Sequence, residues 1–213
     1  MIVLVGGEKG GTGKSTVATT LAAMARRRGR DAALIDADVQ GTSHIWAEER
    51  SERGKAARVV CFQKQGRSFM EDVEDLAERY EDLVIDAGGR DSRELRSALV
   101  ICDRFLTPMQ PSHADAWTLE RLEDLLGQVE ALRGELCGSV VLSRAYADPR
   151  IPETEEAIAL LAEYERLRFS EVVLRERIAF RRALGLGLSV EEMSSPDEKA
   201  TSETKALYDH AFG

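Results

Sequence analysis

Glu8-Lys9-Gly10-Gly11-Thr12-Gly13-Lys14-Ser15-Thr16 decides how this chain reads. An apolar run, Ile2-Val3-Leu4-Val5, leads into it. An Ala- and Leu-rich segment with helical spacing, Val17 to Arg28, leads out of it. Strand, glycine-rich turn and helix start form the context of a phosphate loop. Glycines let the backbone close on an anion and turn several N–H groups toward it. The helix N-terminus adds partial positive charge. Lys14 has the reach for β- and γ-phosphates, and the Ser15 hydroxyl suits Mg²⁺. Gly10, Gly11, Thr12, Gly13, Lys14, Ser15 and Thr16 are therefore the expected nucleotide-binding residues. The general pattern G-x-x-x-x-G-K-[ST] asks for glycine where Glu8 stands. A second lysine, Lys9, directly precedes the glycines.

Two further strands end in carboxylates. Ala32-Ala33-Leu34-Ile35 runs into Asp36-Ala37-Asp38-Val39-Gln40-Gly41-Thr42-Ser43, and the C-terminal ends of parallel strands are where such sheets bind ligands. The plain alternative is that one aspartate caps the next helix. Asp82-Leu83-Val84-Ile85-Asp86 reads as a buried strand that delivers Asp86 to the same site, the Walker B pattern. Ala87-Gly88-Gly89-Arg90-Asp91 then reads as a loose loop whose N–H groups face a γ-phosphate.

The string from Lys9 to Thr16 resembles the deviant phosphate loop of the ParA/MinD family, K-G-G-x-G-K-[ST]. The segment at Asp36 to Ser43 resembles that family's switch I, with Val39 where a proline is usual. The loop after Asp86 lacks the family's two prolines and looks closer to the small plasmid-partition members. The resemblance implies an ATPase with Mg²⁺. Lys9 would reach across a homodimer to the partner's nucleotide, and Asp38 would orient the attacking water. Asp36 and Asp86, with Ser15, would support the metal. Residues after the strand Gly138 to Arg144 lie near the base in the family, which makes Ser143 and Arg144 adenine-site candidates. Arg175 to Val190 resembles a stretch near the end of small partition ATPases, so Arg177, Arg181 and Arg182 are candidates for non-specific DNA phosphate contacts. Salt bridges to neighbouring acidic residues are the alternative there. The function implied is an ATP-driven dimerisation switch that segregates plasmid or chromosomal DNA, stimulated by a small DNA-binding adaptor. A positioning or division regulator with other cargo, and a dethiobiotin-synthetase-like enzyme on the same scaffold, are the alternatives.

Composition bounds the rest. The 213 residues are 43% hydrophobic and 31% charged, which suits one α/β domain with a substantial core spanning 1–213. A net charge of −9 argues against DNA coating the whole surface but leaves room for a local basic patch. No apolar run has the length of a membrane span and no signal peptide is visible, so the expected place is the cytoplasm, with nucleoid association if DNA is the track. Cys61, Cys102 and Cys137 are widely spaced and read as three small buried hydrophobes. Strands and helices alternate throughout. The expected fold is a three-layer sandwich of the P-loop NTPase type: about seven mostly parallel strands with helices on both faces. Ser43 to Glu52 is expected as a helix with Ile45 and Trp46 as its apolar contacts. His113 to Leu132 is expected as a long helix whose apolar stripe runs from Trp117 to Leu132. Glu8, a carboxylate beside a phosphate site, is expected to face the dimer interface.

Overall fold

The structure, a computed structural model, describes every residue except Lys55, Arg90, Pro149 and Arg150, and the side chains of His113, Ala114 and Ala116. The strands are β1 (Ile2–Gly7), β2 (Ala32–Asp36), β3 (Val60–Gln63), β4 (Asp82–Gly89), β5 (Arg104–Met109), β6 (Gly138–Ala145) and β7 (Leu167–Arg175). The helices are α1 (Lys14–Arg27), α2 (Thr42–Arg53), α3 (Phe69–Ala77), α4 (Arg93–Ile101), α5 (His113–Arg133), α6 (Glu153–Leu161), α7 (Ile178–Gly185) and α8 (Glu198–Phe212). All seven strands join one sheet, in the order β3-β2-β4-β1-β5-β6-β7, and every pairing is parallel. The expected α/β architecture is the observed one.

Strand periodicity splits the core in two. In β1, Val3 and Val5 face a layer built by α1 and α8, with Val17, Leu21, Leu207 and Ala211. Leu4, between them, faces the layer of α3 to α6, with Phe69, Leu95, Leu122 and Leu161. Successive side chains of a strand point to opposite faces, so a sheet covered on both sides needs apolar residues at every position. The apolar strands are the consequence.

Three expectations change. β4 does not end at Asp86 but runs on to Gly89, where Gly89 pairs Gly7 after a register shift, so the two glycines are strand rather than loose loop. On α5, Leu119, Leu122, Leu125, Leu126 and Val129 are buried, but Trp117 and Leu132 are exposed, as is Ile45 on α2. Only Cys102 is buried; Cys61 is half-buried and Cys137 exposed.

One buried ion pair ties α2 to the C-terminal region. Arg50 and Glu192 are 1% and 6% exposed and meet through two parallel bonds of 2.7 Å. Arg50 also donates to the carbonyls of Ala57 and Gly187, at 2.7 and 3.0 Å, and lies over the Trp46 ring. Gly187 allows this approach: at φ +66 it takes a left-handed turn, and a Cβ there would sit 2.3 Å from the Arg50 backbone nitrogen. Burial would raise the Glu192 carboxyl, but the Arg50 guanidinium and the Ser189 N–H outweigh it and hold the pKa below the ordinary value. Removing one partner strands a buried charge. Arg50→Met should therefore cost about 3–5 kcal/mol in urea unfolding, and Arg50→Met/Glu192→Met should recover most of it. Because the folded pKa is depressed, this contribution is full above the ordinary carboxylate range and fades as pH falls through the folded value. The stability gap between wild type and the double variant should narrow on acidification in that range.

Candidate functional site

The loops after β1, β2, β4 and β6 converge at the C-terminal edge of the sheet. Gly11 and Gly13 of the first loop hold left-handed φ values of 79° and 97°. A Cβ on Gly13 would meet the Ser143 hydroxyl at 2.7 Å, so only glycine fits the turn that opens α1. The Lys14 side chain is buried, and its Nζ donates to the Lys9 carbonyl at 2.7 Å. Burial lowers its pKa; Asp86 and Asp38 oppose that and favour the charged form. Two side chains hold the loop from outside: the Gln110 amide, which the sequence did not single out, donates to the Gly11 carbonyl at 3.1 Å, and Arg144, expected beside the base, donates to the same oxygen at 2.9 Å. Arg144 does so from a left-handed backbone conformation, φ 53°, that a non-glycine residue rarely adopts.

Asp36 and Asp86 lie side by side, register partners on β2 and β4, and both are fully buried. Asp36 accepts from the N–H groups of Asp38 and His44 at 3.0 and 2.8 Å. Ser43 donates its hydroxyl to Asp86 Oδ2 at 2.6 Å, and the Ser15 side chain near it also favours the ionised carboxyl. Among the described residues Asp86 Oδ1 is buried without a hydrogen-bond partner. Burial pushes the Asp86 carboxyl up to about 7 and raises Asp36 as well. Two adjacent buried carboxylates, one with an orphaned oxygen, beside a hydroxyl, form a hard oxygen donor set. That set suits a Mg²⁺ held largely through water.

Asp38 accepts the Gln40 N–H at 3.0 Å and packs against Gly88, where a Cβ would approach its carboxyl carbon to 3.1 Å. With Glu8, Gly10, Gly89 and Ser92 it lines a chamber of about 500 Å³ at the mouth of the loop. Gly89 is the tightest point of this wall. A Cβ there would stand 2.9 Å from the Gly10 nitrogen and 3.0 Å from Lys14 Nζ. Gly89→Ala should accordingly push the loop and weaken nucleotide binding by about tenfold, roughly the 1.4 kcal/mol of a modest overpacking strain. Titration of a fluorescent nucleotide reads this directly. Unchanged affinity would show that the loop yields freely.

Lys9 bends back onto its own chain. Its Nζ bonds and ion-pairs with Asp115, which is 1% exposed while the Lys9 side chain is 39% exposed. Asp115 also accepts from the Gln110 N–H at 3.0 Å and the Ser112 hydroxyl at 3.1 Å. Asp115 was legible only as a first-turn acid on α5, after Ser112 as N-cap. Glu8 departs from expectation: its side chain is only 12% exposed, covered by its own chain, with Arg121 at 3.9 Å. Burial raises its carboxyl pKa, Arg121 opposing. Ser143 and Arg144 line a smaller recess of about 100 Å³ with Gly13, Thr16 and Arg181. Arg177 is bound to Glu203 at 2.7 Å, and Arg181 pairs with Glu176 at 2.6 Å; Arg182 is exposed. Arg90 lies outside the described residues.

A parallel sheet with a glycine loop, a buried lysine and two buried aspartates at its C-terminal edge defines a phosphate-loop nucleotide-binding protein. Residues 3–190 match the model of the CobQ/CobB/MinD/ParA nucleotide binding domain, and the chain belongs to that family. It is 26% identical over 202 residues to the maintenance of carboxysome distribution protein A of Halothiobacillus neapolitanus, covering 93% of this chain and 90% of that one. Its identity to the protein ParA of Rhizobium radiobacter is 27% over 197 residues, covering 91% and 86%. Its fold matches McdA of Cyanothece in the apo form, with a TM-score of 0.79 at 16% identity over 98% of each chain. The match to an ATP complex of the same protein has a TM-score of 0.74 at 12% identity, over 98% of this chain and 95% of the other. Among the described residues no helix is long and apolar enough to cross a membrane.

Proposed function

We propose that this chain is a Mg²⁺-dependent ATPase of the positioning and partition type, switched by ATP between monomer and dimer. The observation that carries this reading is the juxtaposition of Lys14, the buried Asp36–Asp86 pair and Asp38 around one glycine loop. The N–H groups of Gly10 to Ser15 cradle the phosphates, and Lys14 carries the fixed positive charge toward which the γ-phosphate is drawn. Ser15, Asp36 and Asp86 hold the Mg²⁺, which when bound neutralises phosphate charge. Asp38 orients a water in the chamber it lines. That water attacks the γ-phosphorus, the bond to the β-phosphate oxygen breaks, and ADP and phosphate leave. Ser143 and Arg144 face the base from the smaller recess.

Lys9 acts from a second copy. Its hold on Asp115 keeps it at home in the single chain, so the positive charge for the transition state arrives only when two copies meet. Turnover then depends on assembly, which is what a slow positional switch requires. The named relatives, a carboxysome distribution protein and a ParA protein, support a positioning role. DNA is the proposed track, with a small DNA-binding adaptor on the cargo stimulating hydrolysis, and with Arg181 and Arg182 as the phosphate contacts. Arg177 serves mainly to hold Glu203. Two measurements test the reading. Mg²⁺-dependent phosphate release should fall at least about 100-fold in Asp38→Ala. ATP-dependent, salt-sensitive binding to random duplex DNA should fall several-fold in Arg181→Glu/Arg182→Glu. Turnover that persists in Asp38→Ala would remove Asp38 from the mechanism. DNA binding unchanged in the arginine variant would move the DNA surface elsewhere.

A further inference from the structure

A second, larger concavity lies away from the nucleotide site. It is a groove of about 670 Å³ between the C-terminal ends of α1 and α2 and the segment that follows α7. Both helix ends point to the edge of the sheet opposite the phosphate loop, since both begin beside the C-terminal ends of β1 and β2. The floor is apolar, made by Leu186, Leu188 and Met193 with Ala56 and Ala57. The rim is cationic. Arg26, Arg27 and Arg53 line it: Arg26 is held by Asp31 at 2.6 Å, Arg27 reaches Glu191 at 3.6 Å, and Arg53 leans on Glu49 at 3.6 Å. Glu192, at the back of the groove, is already neutralised by Arg50. The Arg27 and Arg53 guanidinium groups are thus exposed and held in long pairs, on a chain whose net charge is −9. Such pairs contribute little in place and exchange readily for a better partner.

We propose that this groove docks an acidic, amphipathic segment of a partner protein, with its apolar side on the Leu186–Leu188–Met193 floor and its carboxylates on Arg27 and Arg53. Charge complementarity selects the occupant. Duplex DNA would satisfy the rim but leave the apolar floor uncovered, whereas an amphipathic acidic helix satisfies both. Methionine on the floor suits a helix face of variable shape. Arginine forks give carboxylates two-point contacts that a lysine rim would not.

The site is tested by fluorescence anisotropy with a labelled 14-residue synthetic helix carrying Leu on one face and Glu on the other, without nucleotide. A control helix carries Lys at every Glu position. The Glu helix should bind the wild-type chain saturably, and the Lys helix should not. Arg27→Glu/Arg53→Glu should weaken binding at least tenfold, and Met193→Gln several-fold. Arg79→Glu, an exposed arginine on another face, should leave it unchanged. Thermal unfolding of each variant shows that it is folded. Absence of saturable binding to the wild type overturns the proposal, as does binding that survives Arg27→Glu/Arg53→Glu. Displacement of the peptide by random duplex DNA, with equal loss of DNA binding in the arginine variant and none in Met193→Gln, would overturn it too. That outcome would make the rim a nucleic-acid surface.

Discussion

Lys14→Ala is expected to reduce ATP turnover by about 10²–10³-fold while leaving the protein folded. The size follows from where the ammonium sits. Lys14 is buried, its Nζ held by the Lys9 carbonyl, within a site that also holds Asp86 and Asp38. A preorganised cation in such a place stabilises phosphate charge far more than a solvated lysine would, because no water must be reorganised when the charge develops. Folding depends little on it, since the core on both sheet faces lies below the loop. Phosphate release at saturating ATP and Mg²⁺ measures the effect. Turnover within threefold of wild type would mean that the glycine loop is not the reaction site.

Lys9→Ala is expected to lower turnover about as much as loss of a finger residue does elsewhere, roughly 10³-fold, while ATP binding stays within a few-fold. Lys9 donates to Asp115 in its own chain and is not placed by the loop over its own phosphate site. Losing it should therefore spare binding and remove the charge that arrives with a second copy. Lys9→Ala also leaves Asp115 buried with only Gln110 and Ser112 as partners, a cost to stability of about 1–3 kcal/mol. Lys9→Ala/Asp115→Asn removes that cost, so a turnover defect shared by both variants belongs to Lys9. Asp115→Asn alone frees Lys9 and should strengthen ATP-dependent self-association. Weaker association in that variant would show that the pair supports assembly instead of restraining it.

The fold was legible because its signals were local and redundant. Apolar strands alternate with amphipathic helices, and the glycine loop joins β1 to α1 as the motif requires. Asp36 and Asp86 were readable because each ends an apolar run, and parallel pairing then sets them side by side. Contacts made across long sequence separations were not readable. Gln110 and Arg144 reach Gly11 from the ends of other strands, and the Asp115 that holds Lys9 is 106 positions away. The two glycines after Asp86 suggested a loop because glycine usually ends a strand. Here they continue β4, since the phosphate loop crowds any Cβ at Gly89. Trp117 and Leu132 fell on the apolar stripe of α5 by spacing, yet the helix is longer than the core it covers, and both remain in solvent. For the arginines after β7 the sequence left DNA contact and salt bridging both open; Glu176 stands beside them in the chain, but Glu203, the partner of Arg177, comes within reach only once α8 is packed.

The central claim is that ATP brings two copies together and that Lys9 works from the second. Sedimentation velocity of the hydrolysis-deficient Asp38→Ala chain, with Mg²⁺ and either ATP or ADP, tests it most directly. A dimer with ATP and a monomer with ADP, the dimer being lost in Asp38→Ala/Lys9→Ala, is the predicted result. A monomer in both nucleotides, together with a wild-type chain whose turnover per molecule does not rise with protein concentration, would contradict it.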